Sequence, residues 1–260
     1  MVNSVVDKAF VSWGSVMPSV ADLKIKIFAD GADYDSLMSL YAKPYIKGFT
    51  TNPTLMRKAT VANYEEFARK VLAVIKDRPI SLEVFADDFD EMEAQALVIA
   101  SWGKNVNVKI PVSNTRREFS GKLIERLCAR GVVVNVTAVF TPEQVLQIAR
   151  VLNPEVSAIV SIFAGRIADT GVDPVPIMKE ALSILSDYPK AELLWASPRE
   201  VLNLFQADEI GCHIITVTSD VLGKLTNVGK DLSDFSLETV KMFYSDAASA
   251  NYSIEIPAKH

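Results

Sequence analysis

Histidine and cysteine are scarce in this chain: there are two of each in 260 residues. His213 and His260 leave little material for a zinc site or a Ser-His-Asp triad. His213 precedes a β-branched run, where a lone histidine serves structure. Cys128 and Cys212 sit in apolar stretches without a Cys-x-x-Cys partner, so no disulfide framework is expected and the setting reads as reducing and cytoplasmic. Basic clusters are missing too. The longest run, Arg116-Arg117, reads as the start of a helix, and a formal net charge of −5 argues against nucleic acid as a partner. No apolar stretch approaches the roughly 20 residues that cross a bilayer, so no membrane partner is expected. Residues 1–21 lack the basic region and apolar core of a signal peptide. No Pro/Gly/Ser linker or low-complexity segment interrupts the chain.

Apolar residues make up 49% of the chain and charged residues 23%, the balance of an ordinary globular protein of the size of one α/β barrel. Short β-branched runs alternate with longer segments of helical period. The strand candidates are residues 24–29, 46–50, 80–85, 106–110, 132–136, 158–162, 192–196 and 214–217. Helix candidates between and after them are 63–76, 90–102, 117–130, 142–151, 174–186, 198–207 and 236–250. Thr141-Pro142-Glu143 places a cap, a proline and an acid at a helix start, and Gly131 marks a helix end. Such strict alternation predicts a single (β/α)8 barrel with parallel strands over the whole chain. Residues 1–22 read as an N-terminal arm or helix and residues 236–250 as a C-terminal helix. An open doubly wound sheet is the alternative, but it usually brings a Gly-rich loop after its first strand. Here that strand runs into Ala29-Asp30-Gly31-Ala32 instead.

Catalytic groups of such barrels gather at the C-terminal strand ends, and nearly every strand candidate ends in a polar residue. These are Asp30, then Thr50 and Asn52, Glu83, Lys109, Asn135 and Thr137, Ser161, Ser197, and finally Thr216, Thr218 and Asp220. Lys109 stands between Val108 and Ile110 and is followed by Pro111. If it points inward, it is cut off from bulk water, the ammonium is costly, and a neutral amine can attack a carbonyl to give a Schiff base. If it points outward, it pairs with a helix carboxylate. Glu83 on the neighbouring strand is either a structural ion-pair partner or an acid/base beside an imine. Asp30 on its own could cap the helix starting near Asp33.

Six segments resemble the transaldolase family in its order. They are Gly48-Phe49-Thr50-Thr51-Asn52-Pro53-Thr54, Ser81-Leu82-Glu83-Val84, Val108-Lys109-Ile110-Pro111, Asn135-Val136-Thr137-Ala138-Val139-Phe140-Thr141, Ser161-Ile162-Phe163-Ala164-Gly165-Arg166-Ile167 and Ala196-Ser197-Pro198-Arg199. The resemblance runs from about residue 24 to about residue 225. It implies Lys109 as the Schiff-base lysine and Asp30 as the base that takes the proton of the donor's C4 hydroxyl. Glu83 and Thr137 would position the water of imine formation and hydrolysis. Asn52 and Asn135, with Thr50 and Ser161 beside them, would hold the dihydroxyacetone portion. Arg166 and Arg199, with Ser197, would grip a sugar phosphate, whereas Arg199 taken alone reads as a surface salt bridge to Glu200.

Related barrels of the fructose-6-phosphate aldolase group release free dihydroxyacetone and tend to carry Gln and Tyr where this chain has Glu83 and Phe163. Both positions imply transfer rather than release. The chain departs from the family at Gly31-Ala32, at Trp195 and Pro198, and at Thr218-Ser219-Asp220, around the acceptor and phosphate end. An aldolase releasing dihydroxyacetone, an enzyme for another anionic ketose, and a silent sugar-phosphate-binding barrel are the competing readings. The resemblance implies sugar-phosphate substrates, a homo-oligomer, and no metal or organic cofactor, because the lysine itself supplies the electron sink.

Overall fold

In a computed structural model, the structure describes residues 19–256. The expected N-terminal arm therefore lies outside the described residues, apart from a 3-10 turn at Val20–Asp22. The described residues divide into two compact units, residues 23–225 and a second unit that includes residues 226–256.

The larger unit is a closed barrel of eight parallel strands in sequence order. They are β1 (Lys26–Asp30), β2 (Ile46–Thr50), β3 (Ile80–Glu83), β4 (Val106–Pro111), β5 (Val134–Val139), β6 (Ala158–Ile162), β7 (Ala191–Trp195) and β8 (Ile214–Thr218). The helices around them are α1 (Tyr34–Tyr41), α2 (Pro53–Lys58), α3 (Tyr64–Val74), α4 (Phe89–Ser101), α5 (Gly121–Ala129) and α6 (Pro142–Ala149). Then come α7 (Ala164–Ala168), α8 (Pro174–Leu185), α9 (Leu202–Glu209) and α10 (Ser219–Gly223). The second unit contains α11 (Leu232–Ser249), capped by Asp231, with none of its residues buried.

Local chemistry explains the boundaries. Thr141 and Gln144 form a reciprocal capping box ahead of Pro142, as the cap-proline-acid triplet predicts. Gly131, at φ 75°, closes the turn after α5 in a conformation that strongly disfavours a Cβ. One expectation is overturned. Arg116 and Arg117 do not begin a helix: Arg117 has φ 65°, and the Asn114 Oδ1 accepts from the Arg116 and Glu118 backbone N–H groups, making a tight turn instead. Helix α5 starts only at Gly121, after Phe119 bridges back to Ser113.

Inside the barrel, side chains alternate as period-two strands require. Phe28, Ile159, Leu194, Ala196 and Ile214 form an apolar layer across the lumen. Gly48 admits it, because a Cβ there would stand 2.5 Å from the Phe28 ring. Below this layer lies a small cavity of about 230 Å³ at the N-terminal strand ends; above it opens a larger one of about 450 Å³.

Candidate active site

The upper cavity brings together the twelve residues singled out in the sequence, from Asp30 to Arg199. Strand register does the first part of this work. Glu83, Lys109 and Asn135 are Cα partners across β3, β4 and β5, so their side chains rise from one level on one face.

Lys109 points inward and is 7% exposed, which overturns its outward reading. Its Nζ donates to the Glu83 Oε2 at 2.8 Å and to the Thr51 carbonyl at 2.7 Å. The amine is thus buried as expected but paired rather than bare.

Asp30 closes β1 beside this pair. Thr50 Oγ1 donates to Asp30 Oδ1 at 2.8 Å and also bonds Thr216 Oγ1 on β8. Asn52 Nδ2 reaches Asp30 Oδ2 at 3.4 Å, while Asn52 Oδ1 caps α2 by accepting the Leu55 N–H at 2.9 Å. Burial pushes the Asp30 carboxyl above its ordinary value, against the opposing pull of Lys109, Thr50 and Asn52. Asp30 is not a helix cap; Asp33 takes that place at α1.

A second chain of hydrogen bonds crosses the floor of the site. Ser161 Oγ donates to Asn135 Oδ1 at 2.6 Å, and Asn135 Nδ2 donates to Ser81 Oγ at 3.0 Å, all three residues being buried. This orients the Asn135 amide. Thr137 follows on β5, where a one-residue register slip against β6 leaves Ala138 at φ 60°. The Thr137 hydroxyl is buried with no protein partner, the setting in which a small polar guest finds a free hydrogen-bonding group.

The rim is cationic. Arg166, in α7, lies over the Phe163 ring at 5.3 Å, and Phe163 in turn packs on Phe140. Arg199 pairs with Asp169, through both of its carboxylate oxygens, rather than with Glu200. Ser197, at φ 60°, sends its carbonyl so close to Gly165 that a Cβ there would meet that oxygen at 1.5 Å. Gly165 N–H also donates to the Ala196 carbonyl, which ties the Arg166 turn to the Ser197 turn. Trp195, read in the sequence as a flank of the anion end, is fully buried and outside the cavity lining. Leu194 on β7 and Ala196 just after it line the cavity, and parity turns Trp195 between them the other way.

Sequence reasoning missed four participants. Ser81 was visible as a polar residue two before Glu83, the spacing that puts both on one strand face. Thr216 stood among the polar strand ends but was given no role in the site. Tyr64 and Asp169 lie on helix and loop positions whose periodicity carries no such signal. His213, by contrast, is structural as expected: its Nδ1 accepts the Leu193 N–H at 3.0 Å.

Comparison with known proteins identifies the family. Residues 27–256 match the family model described as Transaldolase/Fructose-6-phosphate aldolase. A protein named "Probable transaldolase 2" from Listeria monocytogenes is 33% identical over 202 residues, covering 77% of this chain and 88% of that protein. A "Probable transaldolase" from Thermoanaerobacter is 33% identical over 218 residues, covering 84% and 95%. One from Nitrosopumilus maritimus is 31% identical over 234 residues, covering 89% of this chain and the whole of that one. Among solved structures, a putative dihydrodipicolinate synthase family protein from Coccidioides immitis superposes with a TM-score of 0.55 at 14% identity, over 93% and 82% of the two chains, a likeness of fold alone. With a family model spanning most of its length and relatives above 30% identity along it, the chain belongs to the transaldolase/fructose-6-phosphate aldolase family.

Proposed function

We propose that the protein is a transaldolase that moves a dihydroxyacetone unit from a ketose phosphate, of the fructose 6-phosphate or sedoheptulose 7-phosphate type, to an aldose phosphate through a Schiff base on Lys109. The observation that carries this reading is the Lys109 amine, 2.8 Å from Glu83 inside the barrel, in a cavity that also holds Asp30 and the oriented Asn135 amide.

Glu83 takes the ammonium proton, and the freed amine attacks the donor's C2 carbonyl to form a C–N bond. Loss of the carbonyl oxygen as water leaves an iminium, with Glu83 and Thr137 positioning that water. Asp30 then removes the C4 hydroxyl proton, the C3–C4 bond breaks, and its electron pair moves into the iminium to give an enamine. The aldehyde product departs. An acceptor aldehyde takes its place, C3 attacks it, and Asp30 returns the proton to the new alkoxide. Hydrolysis of the second iminium releases the product ketose. Asn52, Asn135 and Ser161 hold the three-carbon unit, while Arg166, Arg199 and Ser197 bind the remote phosphate and so position the reacting carbons.

Borohydride reduction in the presence of fructose 6-phosphate, followed by intact and peptide mass, tests the reading. A three-carbon adduct on Lys109 is expected; an unmodified Lys109 with every ketose phosphate offered would refute it. Release of free dihydroxyacetone is the second reading, and Phe163 argues against it. Its ring has no group to hold a water that would protonate the enamine. Accordingly, Phe163→Tyr should raise dihydroxyacetone release at the expense of transfer to an acceptor aldehyde. No increase in that product would count against the role given to Phe163.

A further inference from the structure

The β2–β3 ladder stops in an unusual place. Strands β2 and β3 pair through Phe49 with Ile80 and Thr50 with Ser81, and the Thr51 N–H continues the ladder to the Ser81 carbonyl at 3.1 Å. In a parallel ladder the next bond runs from the Glu83 N–H back to the Thr51 carbonyl. That bond is missing. The Thr51 carbonyl instead accepts the Lys109 ammonium at 2.7 Å, and the Glu83 N–H donates to the Tyr64 hydroxyl at 2.8 Å. The same hydroxyl donates to the Glu83 carbonyl at 3.2 Å, so one phenol clamps both backbone groups of the residue that pairs with Lys109.

Tyr64 is built for this position. It is the first residue of α3, fixed by the Asn63 cap, whose Oδ1 accepts the Glu66 N–H at 3.1 Å. Its ring stands edge-on to Phe85 at 4.6 Å and tilts against Trp102 at 5.8 Å. Burial pushes the phenol above its ordinary value, so it remains the O–H that the Glu83 carbonyl needs as donor.

We infer that Tyr64 is a positioning residue: its hydroxyl stands in for a rung of the sheet, which frees the Thr51 carbonyl to hold the Lys109 amine opposite the Glu83 carboxylate. The exchange of partners is a matter of geometry. Its effect on turnover rests on the reading of Lys109 as the condensing amine.

Tyr64→Phe removes the hydroxyl and keeps the ring. A crystal structure of this variant is expected to show the Thr51 carbonyl turned back to the Glu83 N–H and away from Lys109 Nζ. A Thr51 carbonyl still bound to Lys109 overturns the inference. In the steady state, kcat and the rate of borohydride-trapped adduct formation should fall by about tenfold while the donor KM stays within about twofold, since misplacing a reacting group costs rate rather than binding. Phe85→Leu, which loosens the same aromatic contact but spares the hydroxyl, should leave kcat within about twofold of the parent if packing alone is not the cause. Equal loss of kcat in both variants, or none in Tyr64→Phe, overturns the inference. If the parent protein forms no adduct at all, the proposed function fails, and the crystallographic comparison still decides the role of Tyr64.

Discussion

At the end of β1, Asp30 is buried against Thr50 and Asn52, and its carboxyl is pushed above its ordinary value. An acid whose folded value is raised adds stability below its unfolded value and forfeits it as pH rises through the folded one. Ionising Asp30 in the folded protein is therefore a cost to the fold. Asp30→Asn should abolish turnover yet raise the melting temperature at pH 7.5 by about 2–4 °C, a gain that shrinks as pH approaches the ordinary carboxylate range. Thermal unfolding of both proteins at several pH values checks this, and a variant less stable at pH 7.5 would contradict it. The same raised value predicts that the acid limb of activity lies above the ordinary carboxylate range. At this scale Asp30, Glu83 and Lys109 were legible because a charged residue late in an apolar strand breaks its pattern. The Lys109 partnership with the Thr51 carbonyl was not, since a main-chain acceptor has no letter in the sequence. Tyr64 was hidden for a related reason, as an aromatic at a helix start reads as core.

Among the elements, the turns after β6 and β7 are locked together by Gly165, whose missing Cβ leaves room for the Ser197 carbonyl. Gly165→Ala would drive a methyl into backbone, and overpacking of that kind costs about 1–3 kcal/mol. Denaturant unfolding should register the loss, and the KM for a phosphorylated donor should rise more than that for an unphosphorylated one, because Arg166 and Ser197 shift together. Equal changes in the two KM values would separate this lock from the anion end. Nearby, Asp169 holds Arg199 and has its own carboxyl held below the usual range by that guanidinium. At the rim, Asp169 thus competes for one of the two guanidinium groups. Asp169→Asn should lower the KM for a phosphorylated donor by about two- to fivefold, the size expected for a half-exposed pair, and the effect should fade with added salt. A higher KM would mean that Asp169 orients Arg199 rather than competing for it. Elements themselves were read well from the sequence where caps or β-branched runs were strong, as at β2, β6 and α6. The Arg116-Arg117 turn was misread because Asn114 bonds its own loop through the side chain, a local contact that helical period does not encode.

For the whole molecule, strand–helix alternation sufficed to predict a closed parallel barrel, and the structure divides its lumen unevenly. Strands β2 to β5 supply Thr50, Glu83, Lys109, Asn135 and Thr137 to the cavity, whereas β1, β6, β7 and β8 also supply the apolar layer of Phe28, Ile159, Leu194, Ala196 and Ile214. That division was only half visible. The polar ends stood out, but the layer depends on Gly48 ceding its space to Phe28, a fit between two strands that no single stretch of sequence records. No helix among the described residues is long and apolar enough to cross a membrane.

The Phe28 layer has a kinetic consequence. Because the ring and its neighbours plug the lumen beneath Lys109, the cavity opens at one end, and under the proposed mechanism the first aldehyde would have to step out before the second could step in. Initial rates measured over a grid of both substrates should therefore trace parallel double-reciprocal lines, the mark of a ping-pong scheme. Lines that intersect would mean that both sugars occupy the vestibule at once.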